Sequence, residues 1–204
     1  MDSLDLRIVL ASSSPRRKML LQQLDIPFDI KVSNIDEVIY DNVPAEEFAR
    51  RLACEKAQMI ARSLTDVLVI GADTIVVDEF GMLGKPQDEQ EAFQMLRRLS
   101  GNVHRVITGV AVISTYAQKH VLVNHETTQV KIAPLSDYDI SRYIQTGEPL
   151  DKAGAYAIQG KGARFVEWIH GCYNNVVGLP LFLLIGMLKN MARSLNMSCN
   201  HLWL

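Results

Sequence analysis

The sequence of 204 residues lacks most of the features that assign a chain to a special class of protein. Its three cysteines, Cys54, Cys172 and Cys199, are an odd number without CxxC spacing, which predicts free thiols in a reducing compartment. Its longest apolar stretch, residues 179–188, falls well short of the roughly 20 residues that span a bilayer, and we expect no targeting segment. These absences predict a cytoplasmic protein without a membrane partner.

The chain also lacks an excess of charge of one sign, with 21 Lys and Arg against 23 Asp and Glu. Proteins that bind a nucleic-acid polymer usually carry a basic excess, so we expect no such partner. A small anionic ligand remains compatible with this balance. The GxxxxGK[ST] loop, the GxGxxG fingerprint, the GxSxG elbow and HExxH are absent. A phosphate ligand would therefore be held by side-chain cations and a metal.

Short apolar runs alternate with amphipathic segments along the chain, which predicts an α/β protein. Strands are predicted at 7–11, 28–33, 104–114 and 120–133, with 68–77 forming one long strand or a pair. A hairpin of 155–159 and 164–170 is predicted around the glycines at 160 and 162. Helices are predicted at 44–63, 136–145 and 180–194, and further helices begin at 15 and 88. The hairpins favour a mixed sheet over a purely parallel one.

The first helix begins with cations where acids are the rule. Ser14 fits an N-cap and Pro15 the first helical position, which places Arg16 and Arg17 in the first turn. Cations at this end oppose the helix dipole. A hydroxyl cap, free N–H groups and two guanidiniums together form an anion site. The alternative is an ordinary cap with two solvated arginines.

Three further charged residues stand in unusual surroundings. Lys56 lies on the apolar stripe of the 44–63 helix, either aimed into a cleft or snorkelling at the edge of the stripe. Asp73 lies within an apolar run and is either a buried carboxylate that needs a partner or a loop acid between two strands. Lys85 follows a turn, and a hairpin would bring it back toward Asp73; the alternative is a plain loop lysine. Gly71 would allow backbone or ligand to approach closely.

Glycines and other small residues surround isolated polar side chains at 151–160. A buried Gln159 with both amide functions available suits the edge of a nucleobase. The alternative is a tight hairpin around a packed Tyr156.

As an ordered set, the motifs of this chain resemble the Maf family of nucleoside triphosphate pyrophosphatases over residues 8–188. The motifs are Ser12-x-Ser14-Pro15-Arg16-Arg17, Glu37, Glu55-Lys56, Gly71-Ala72-Asp73-Thr74, Lys85-Pro86, Ser100-Gly101-x-x-His104 and Asn175-Val176-Val177-Gly178-Leu179-Pro180. The resemblance implies a mixed, twisted sheet with flanking helices and two lobes around a deep cleft, similar to the inosine triphosphate pyrophosphatase (Ham1) fold. It implies one domain over residues 1–188, with 189–204 as a helical extension or tail.

The resemblance also implies a metal-dependent hydrolase that converts dTTP and UTP, and modified pyrimidine triphosphates, to the nucleoside monophosphate and pyrophosphate. Mg²⁺ or Mn²⁺ is the implied cofactor, and a homodimer the implied assembly. The 151–160 stretch is similar to the dTTP/UTP branch, whereas the 7-methyl-GTP branch tends to carry Cys, Gln and Glu in place of Lys152, Thr74 and Gln159. Arg17, Thr74 and Gln159 are thereby the implied specificity positions.

On the same resemblance, Arg16, Arg17, Lys56 and Lys85 are assigned to the polyphosphate, together with Ser12 and Ser14 in substrate binding. Glu37 and Asp73 are assigned to the metal, and Asp73 also to orienting and deprotonating the attacking water. An alternative is a nucleotide-binding regulator of cell division or septum formation with little turnover, or the 7-methyl-GTP branch. The retained set of Glu37, Lys56, Asp73 and Lys85 favours the enzyme, because a pure binder has no need of paired acids.

Overall fold

The computed structural model describes residues 7–33, 35, 43–116 and 119–197. Its strands are β1 (Ile8–Leu10), β2 (Phe28–Ile30), β3 (Leu68–Asp78), β4 (Gly81–Leu83), β5 (Val103–Ser114), β6 (Val121–Ile132) and β7 (Val166–His170). They form one sheet in the order β2-β1-β3-β5-β6-β7, with β4 paired to β3. β1 runs parallel to β2 and β3, and the other pairs are antiparallel. The predicted mixed sheet is confirmed, and β3 is one continuous strand.

Six α-helices flank this sheet in the described part of the chain. They are α1 (Pro15–Gln22), α2 (Ala45–Ala61), α3 (Glu89–Leu99), α4 (Asp137–Ile144), α5 (Tyr173–Val177) and α6 (Leu181–Ser194). Ser14, Asp88 and Ser136 cap α1, α3 and α4 by accepting a hydrogen bond from a backbone N–H of the first turn. α6 carries the chain in helical form past residue 188. No helix among the described residues combines the length and apolarity needed to cross a bilayer.

The two faces of β3 are covered by different helices. Residues 69, 75 and 77 pack with α2, whereas residues 68, 70 and 72 pack with α1 and α6. Val76 joins a separate cluster with α3 and α4. Thr74 lies between these last two clusters on the same face, because side chains alternate along a strand. This position brings Thr74 to the wall of a cleft.

Two glycines set the distance between α2 and the sheet. A Cβ atom added at Gly71 would lie 2.2 Å from the carbonyl oxygen of Ala53, and one at Gly109 would lie 2.1 Å from that of Ala49. The close approach expected at Gly71 is therefore made by the backbone of α2. As a result, the helix lies close enough to β3 for the side chain of Lys56 to contact Asp73.

The predicted hairpin at 155–170 is wrong. Only its second arm is a strand, β7, and this strand pairs with β6. Residues 153–155 and 161–165 form 3₁₀ turns, and Gly154 and Ala155 have φ values of 67° and 58°, which no strand adopts. Side chains bind the backbone N–H groups of the first arm and the turn instead. The hydroxyl of Tyr143 accepts from the N–H of Ala157, and the carboxylate of Glu148 accepts from the N–H groups of Lys161 and Gly162.

Candidate active site

A cleft of about 400 Å³ opens between the start of α1, β3, the loop after β4 and the 151–159 segment. Among the described residues that line it, five are Lys or Arg and two are Asp: Arg16, Arg17, Lys56, Lys85, Lys152, Asp73 and Asp151. The structure brings together nine of the predicted site residues there: Ser12, Ser14, Arg16, Arg17, Lys56, Asp73, Thr74, Lys85 and Gln159. Glu37, predicted as a metal ligand and catalytic residue, lies outside the described residues.

The start of α1 is built as a serine cap beneath two arginines. Ser14 adopts extended φ and ψ, and its Oγ accepts from the backbone N–H of Arg17 at 3.4 Å. The Oγ of Ser12 accepts from the N–H of Ser14 at 3.2 Å and from Nη1 of Arg17 at 3.4 Å. No acidic residue occupies the first turn. Arg16 and Arg17 therefore add their charge to the positive end of the helix dipole at the cleft wall.

A chain of hydroxyl groups orients Arg17. Thr108 donates its only hydroxyl proton to the carbonyl oxygen of Asn175 at 3.0 Å, because a carbonyl can only accept. Thr74 must then donate to Thr108 across their 2.9 Å contact. The oxygen of Thr74 accepts from Nη2 of Arg17 at 3.1 Å, and Nε of Arg17 donates to the carbonyl of Gly178 at 2.9 Å. The oxygens of Thr74 and Gly178 that bind the guanidinium can therefore only accept hydrogen bonds from it.

Asn175 anchors the end of this chain. Its side chain is fully buried, and its Nδ2 donates to the carbonyl of Val106 and to Oγ1 of Thr128, both at 2.9 Å. Thr108 and Asn175 were not among the predicted site residues. The signal for Thr108 was a hydroxyl inside the apolar run of β5, since a buried polar group needs a partner. The only sequence signal for Asn175 was its place at the start of the 175–180 motif.

Lys56 and Asp73 form a buried ion pair. The Nζ of Lys56 lies 2.5 Å from Oδ1 of Asp73, and their side chains are 9% and 6% exposed. Lys56 therefore does not snorkel at the edge of its helix, and Asp73 is not a loop acid. Two charges removed from water in this way are costly unless they face each other or a ligand.

The oxygen donors in the cleft fit a divalent cation of the magnesium type. Mg²⁺ is usually bound through one or two carboxylates together with substrate phosphates, and it keeps several waters. Asp73 supplies one carboxylate of this kind at the cleft wall. Within the described ranges, no group of three or more His, Cys, Asp or Glu side chains forms a closed metal cage. The arrangement fits an ion that is shared with a ligand rather than one held by protein alone.

Lys85 reaches the cleft because β3 and β4 form a hairpin in which Val76 pairs with Leu83. The carbonyl of Gly84 accepts from the N–H of Gly154 at 3.0 Å, which ties this loop to the 153–155 turn. The side chain of Lys85 is exposed. The hairpin thus brings Lys85 to the cleft that Asp73 also lines.

Gln159 lies at the exposed edge of the cleft, so the expectation that it is buried is wrong. Its amide makes no hydrogen bond to any residue that the structure describes. Nearby, Lys152 forms an ion pair with Asp151. Burial works against ionisation of Asp151, but the hydrogen bond and charge of Lys152 and the charge of Arg16 outweigh it and lower the pKa of Asp151. Lys152 is a cleft cation that the predicted site set did not include.

His104 supports the cleft wall from behind. Its Nε2 lies 2.8 Å from the hydroxyl oxygen of Tyr156, which lines the cleft, and the two rings meet edge to face. Burial lowers the pKa of His104 to about 4, against the smaller opposing effect of the Asp78 charge. The imidazole is therefore neutral at pH 7. Burial also raises the pKa of Tyr156, so its hydroxyl keeps its proton.

Two curated proteins are similar to this chain over most of its length. The chain is 50% identical over 193 residues to the dTTP/UTP pyrophosphatase of Caldicellulosiruptor saccharolyticus, with 93% of this chain and 96% of that protein covered. It is 52% identical over 186 residues to the dTTP/UTP pyrophosphatase of Alkaliphilus oremlandii, with 90% and 95% covered. Among solved structures, it is similar to the Ham1 protein of Staphylococcus aureus at a TM-score of 0.49 and 15% identity, over 91% of this chain and 99% of that one.

The Ham1 likeness is too distant to carry a conclusion of its own. The sequence relatives share half of their residues with this chain over almost its whole length. The family model for Maf-like proteins matches residues 7–191. On these grounds the chain belongs to the Maf family.

Proposed function

We propose that this protein hydrolyses dTTP and UTP, and modified pyrimidine triphosphates, to the nucleoside monophosphate and pyrophosphate. The observation that carries the proposal is one cleft with a cation-rich wall, a buried Lys56–Asp73 pair and an exposed Gln159 amide at its edge. Relatives that are about half identical to this chain are named dTTP/UTP pyrophosphatase, which supports the choice of substrate.

The charge of the cleft suits a triphosphate. Among the described residues that line the cleft, five cations against two carboxylates leave a positive excess, and a nucleoside triphosphate brings roughly four negative charges. Arg16 and Arg17 bind at the start of α1, where backbone N–H groups also point at an anion. Lys56, on α2, and Lys85, in the loop after β4, add two further cations to the lining. Transfer of a phosphoryl group depends mainly on such positioning and neutralisation.

In the proposed reaction, a water molecule attacks the α-phosphorus. A new P–O bond forms, the bond from the α-phosphorus to the bridging oxygen breaks, and pyrophosphate leaves with the electron pair. Asp73 orients this water and accepts its proton, while Lys56 at 2.5 Å balances the carboxylate charge. Lys85 stabilises the charge that develops on the phosphate oxygens.

We assign the divalent cation, Mg²⁺ or Mn²⁺, to Asp73 and Glu37 together with the substrate phosphates. When bound, it lowers the pKa of a coordinated water and neutralises phosphate charge. Oxygen ligands of this kind suit both ions.

Recognition of the base is assigned to the exposed amide of Gln159. A primary amide both donates and accepts, which matches the carbonyl and imide groups of uracil and thymine. Arg17 and Thr74 complete the specificity set, with Arg17 fixed by the hydroxyl chain. We further propose that the protein is cytoplasmic, since Cys54 and Cys172 are free thiols that suit a reducing compartment. The homodimer that the family resemblance implies is part of the same proposal. Light scattering on the purified chain tests the dimer.

One panel of substrates tests the function. Each common and methylated nucleoside triphosphate is incubated with Mg²⁺ or Mn²⁺, and pyrophosphate, orthophosphate and monophosphate are measured separately. We expect pyrophosphate from dTTP and UTP above all, and none from the Asp73→Asn variant. Release of orthophosphate would overturn the reaction type, and a preference for purines would overturn the assignment of Gln159.

A further inference from the structure

The segment that presents Gln159 to the cleft has its backbone held by side chains rather than by a neighbouring strand. Residues 157–162 lie outside the seven-stranded sheet. Two residues from the α4 region, Tyr143 and Glu148, contact its backbone instead. Neither is among the described residues that line the cleft, so both act from behind the segment.

Glu148 binds the far end of the segment. Its Oε2 accepts from the backbone N–H of Lys161 at 3.0 Å, and its Oε1 accepts from that of Gly162 at 3.1 Å. Successive N–H groups that converge on one anion form a nest, which orders the backbone that carries them. Burial disfavours the ionised form, but the donors Lys161 N–H, Tyr143 hydroxyl and Gly162 N–H and the charge of Lys152 outweigh it and lower the pKa of Glu148.

Tyr143 connects the two ends of the segment. Its hydroxyl donates to Oε1 of Glu148 at 2.8 Å and accepts from the N–H of Ala157 at 3.1 Å. The ring is buried and packs edge to face on Phe165 at 5.1 Å between centroids. Ala157 lies two residues before Gln159 in the chain. One hydroxyl therefore fixes the backbone of Ala157 relative to Glu148.

The fit between the segment and these side chains is close. A Cβ atom at Gly160 would lie 2.5 Å from Oε1 of Glu148. One at Gly162 would lie 2.7 Å from the hydroxyl oxygen of Tyr143 and 2.8 Å from the carbonyl oxygen of Ala157. Glycine at both positions is what allows the carboxylate and the phenol to lie directly against the backbone.

We propose that Glu148, with Tyr143, is a positioning residue for Gln159 and sets how strictly the cleft selects uracil and thymine over cytosine. The inference rests on the proposed function, because it assigns the amide of Gln159 to the base. The Glu148 carboxylate fixes the backbone after Gln159 and the Tyr143 hydroxyl bound to it fixes the backbone before Gln159, which together restrict where that amide points. Cytosine differs from uracil in donors and acceptors along the edge that such an amide reads, so a loosened amide discriminates less.

The test uses the full chain and compares kcat/KM for UTP with that for CTP in the wild type and in Glu148→Gln. The substitution keeps the size of the side chain but replaces an acceptor oxygen by an amide that donates toward an N–H. We expect the UTP preference to fall about 10-fold, through KM rather than kcat. Tyr143→Phe, which keeps the ring, should reduce it in the same direction. Glu167→Gln, on an exposed residue of β7, is the matched control and should leave the ratio unchanged.

A double variant separates positioning from general damage. If Glu148 acts through Gln159, adding Glu148→Gln to Gln159→Ala should change the ratio no further, because residues that act as a unit are not additive. An unchanged ratio in both folded single variants, or a further fall in the double variant, overturns the proposal. Should Glu148→Gln fail to fold, Tyr143→Phe decides the matter alone. A wild type that releases no pyrophosphate from UTP refutes the proposed function instead.

Discussion

Replacing Asp73 by asparagine perturbs the buried pair that Asp73 forms with Lys56, and it should cost both activity and stability. The Nζ of Lys56 lies 2.5 Å from Oδ1 of Asp73, and the lysine side chain is 9% exposed. Asparagine keeps the shape of the carboxylate but removes its charge. The ammonium group then stays buried beside a neutral amide.

The magnitude follows from the cost of removing the carboxylate that faces a buried ammonium group. Breaking a buried pair by removing one partner typically costs about 3–5 kcal/mol, whereas replacing both partners by neutral groups of similar volume is close to neutral. For a chain of this length, each kcal/mol lowers the unfolding midpoint by about 2–4 °C. We therefore expect Asp73→Asn to lower it by about 6–20 °C. The double variant Lys56→Met with Asp73→Asn should recover most of that loss.

The assay combines thermal unfolding without nucleotide with pyrophosphate release from UTP. Both variants should be inactive, while only the single variant should be strongly destabilised. An Asp73→Asn protein that unfolds at the wild-type temperature would refute the reasoning that Lys56 depends on this charge. Equal instability of the single and double variants would show that the lost stability does not come from the buried ammonium group of Lys56.

Three other perturbations test the structure around the cleft. Thr108→Val removes the hydroxyl that orients Arg17 through Thr74 and should raise the KM for UTP about 5-fold, with Thr108→Ser close to wild type in steady-state kinetics. Because the folded pKa of His104, about 4, lies below its unfolded value near 6.5, the unfolded chain binds more protons between these values. The stability that His104 contributes is thus complete above pH 6.5 and is lost as the pH falls. Urea unfolding should show about 2–3 kcal/mol less stability at pH 4.5 than at pH 7 from this group, a loss that the His104→Gln variant should lack. Gly71→Ala places a Cβ atom 2.2 Å from a helix carbonyl oxygen and should destabilise by at least about 1–3 kcal/mol, while full thermal stability would contradict the close packing of α2.

The sequence allowed most of the sheet and four of the five cations among the described cleft residues to be predicted, whereas Lys152 was missed. The apolar period of β5 and the Ser14-Pro15 start of α1 are both encoded within a few residues. The pairing of Lys56 with Asp73 was not predictable as a contact, since it depends on α2 lying against the backbone at Gly71. The sequence indicated only that each charge needed a partner.

The hairpin at 155–170 was predicted wrongly because its local pattern is overridden by contacts with residues outside it. Its glycines and small residues are typical of a turn between strands, but the nearby backbone donors are taken by Tyr143 and Glu148, which precede the segment in the chain. A local pattern contains no sign of such side-chain acceptors. The wrong hairpin also led to the wrong expectation that Gln159 is buried. A strand at 155–159 would have buried alternate residues, whereas Gln159 is exposed.

The hydroxyl chain behind Arg17 has a consequence for how the cleft responds to acidity. It ends on the main-chain carbonyl of Asn175, which cannot become a donor, so the direction of every bond from there to the guanidinium is imposed by the backbone. Its acceptors, a carbonyl and two threonine hydroxyls, are not ionisable side chains. The orientation that these oxygens impose on Arg17 therefore does not depend on the protonation of the carboxylates in the cleft.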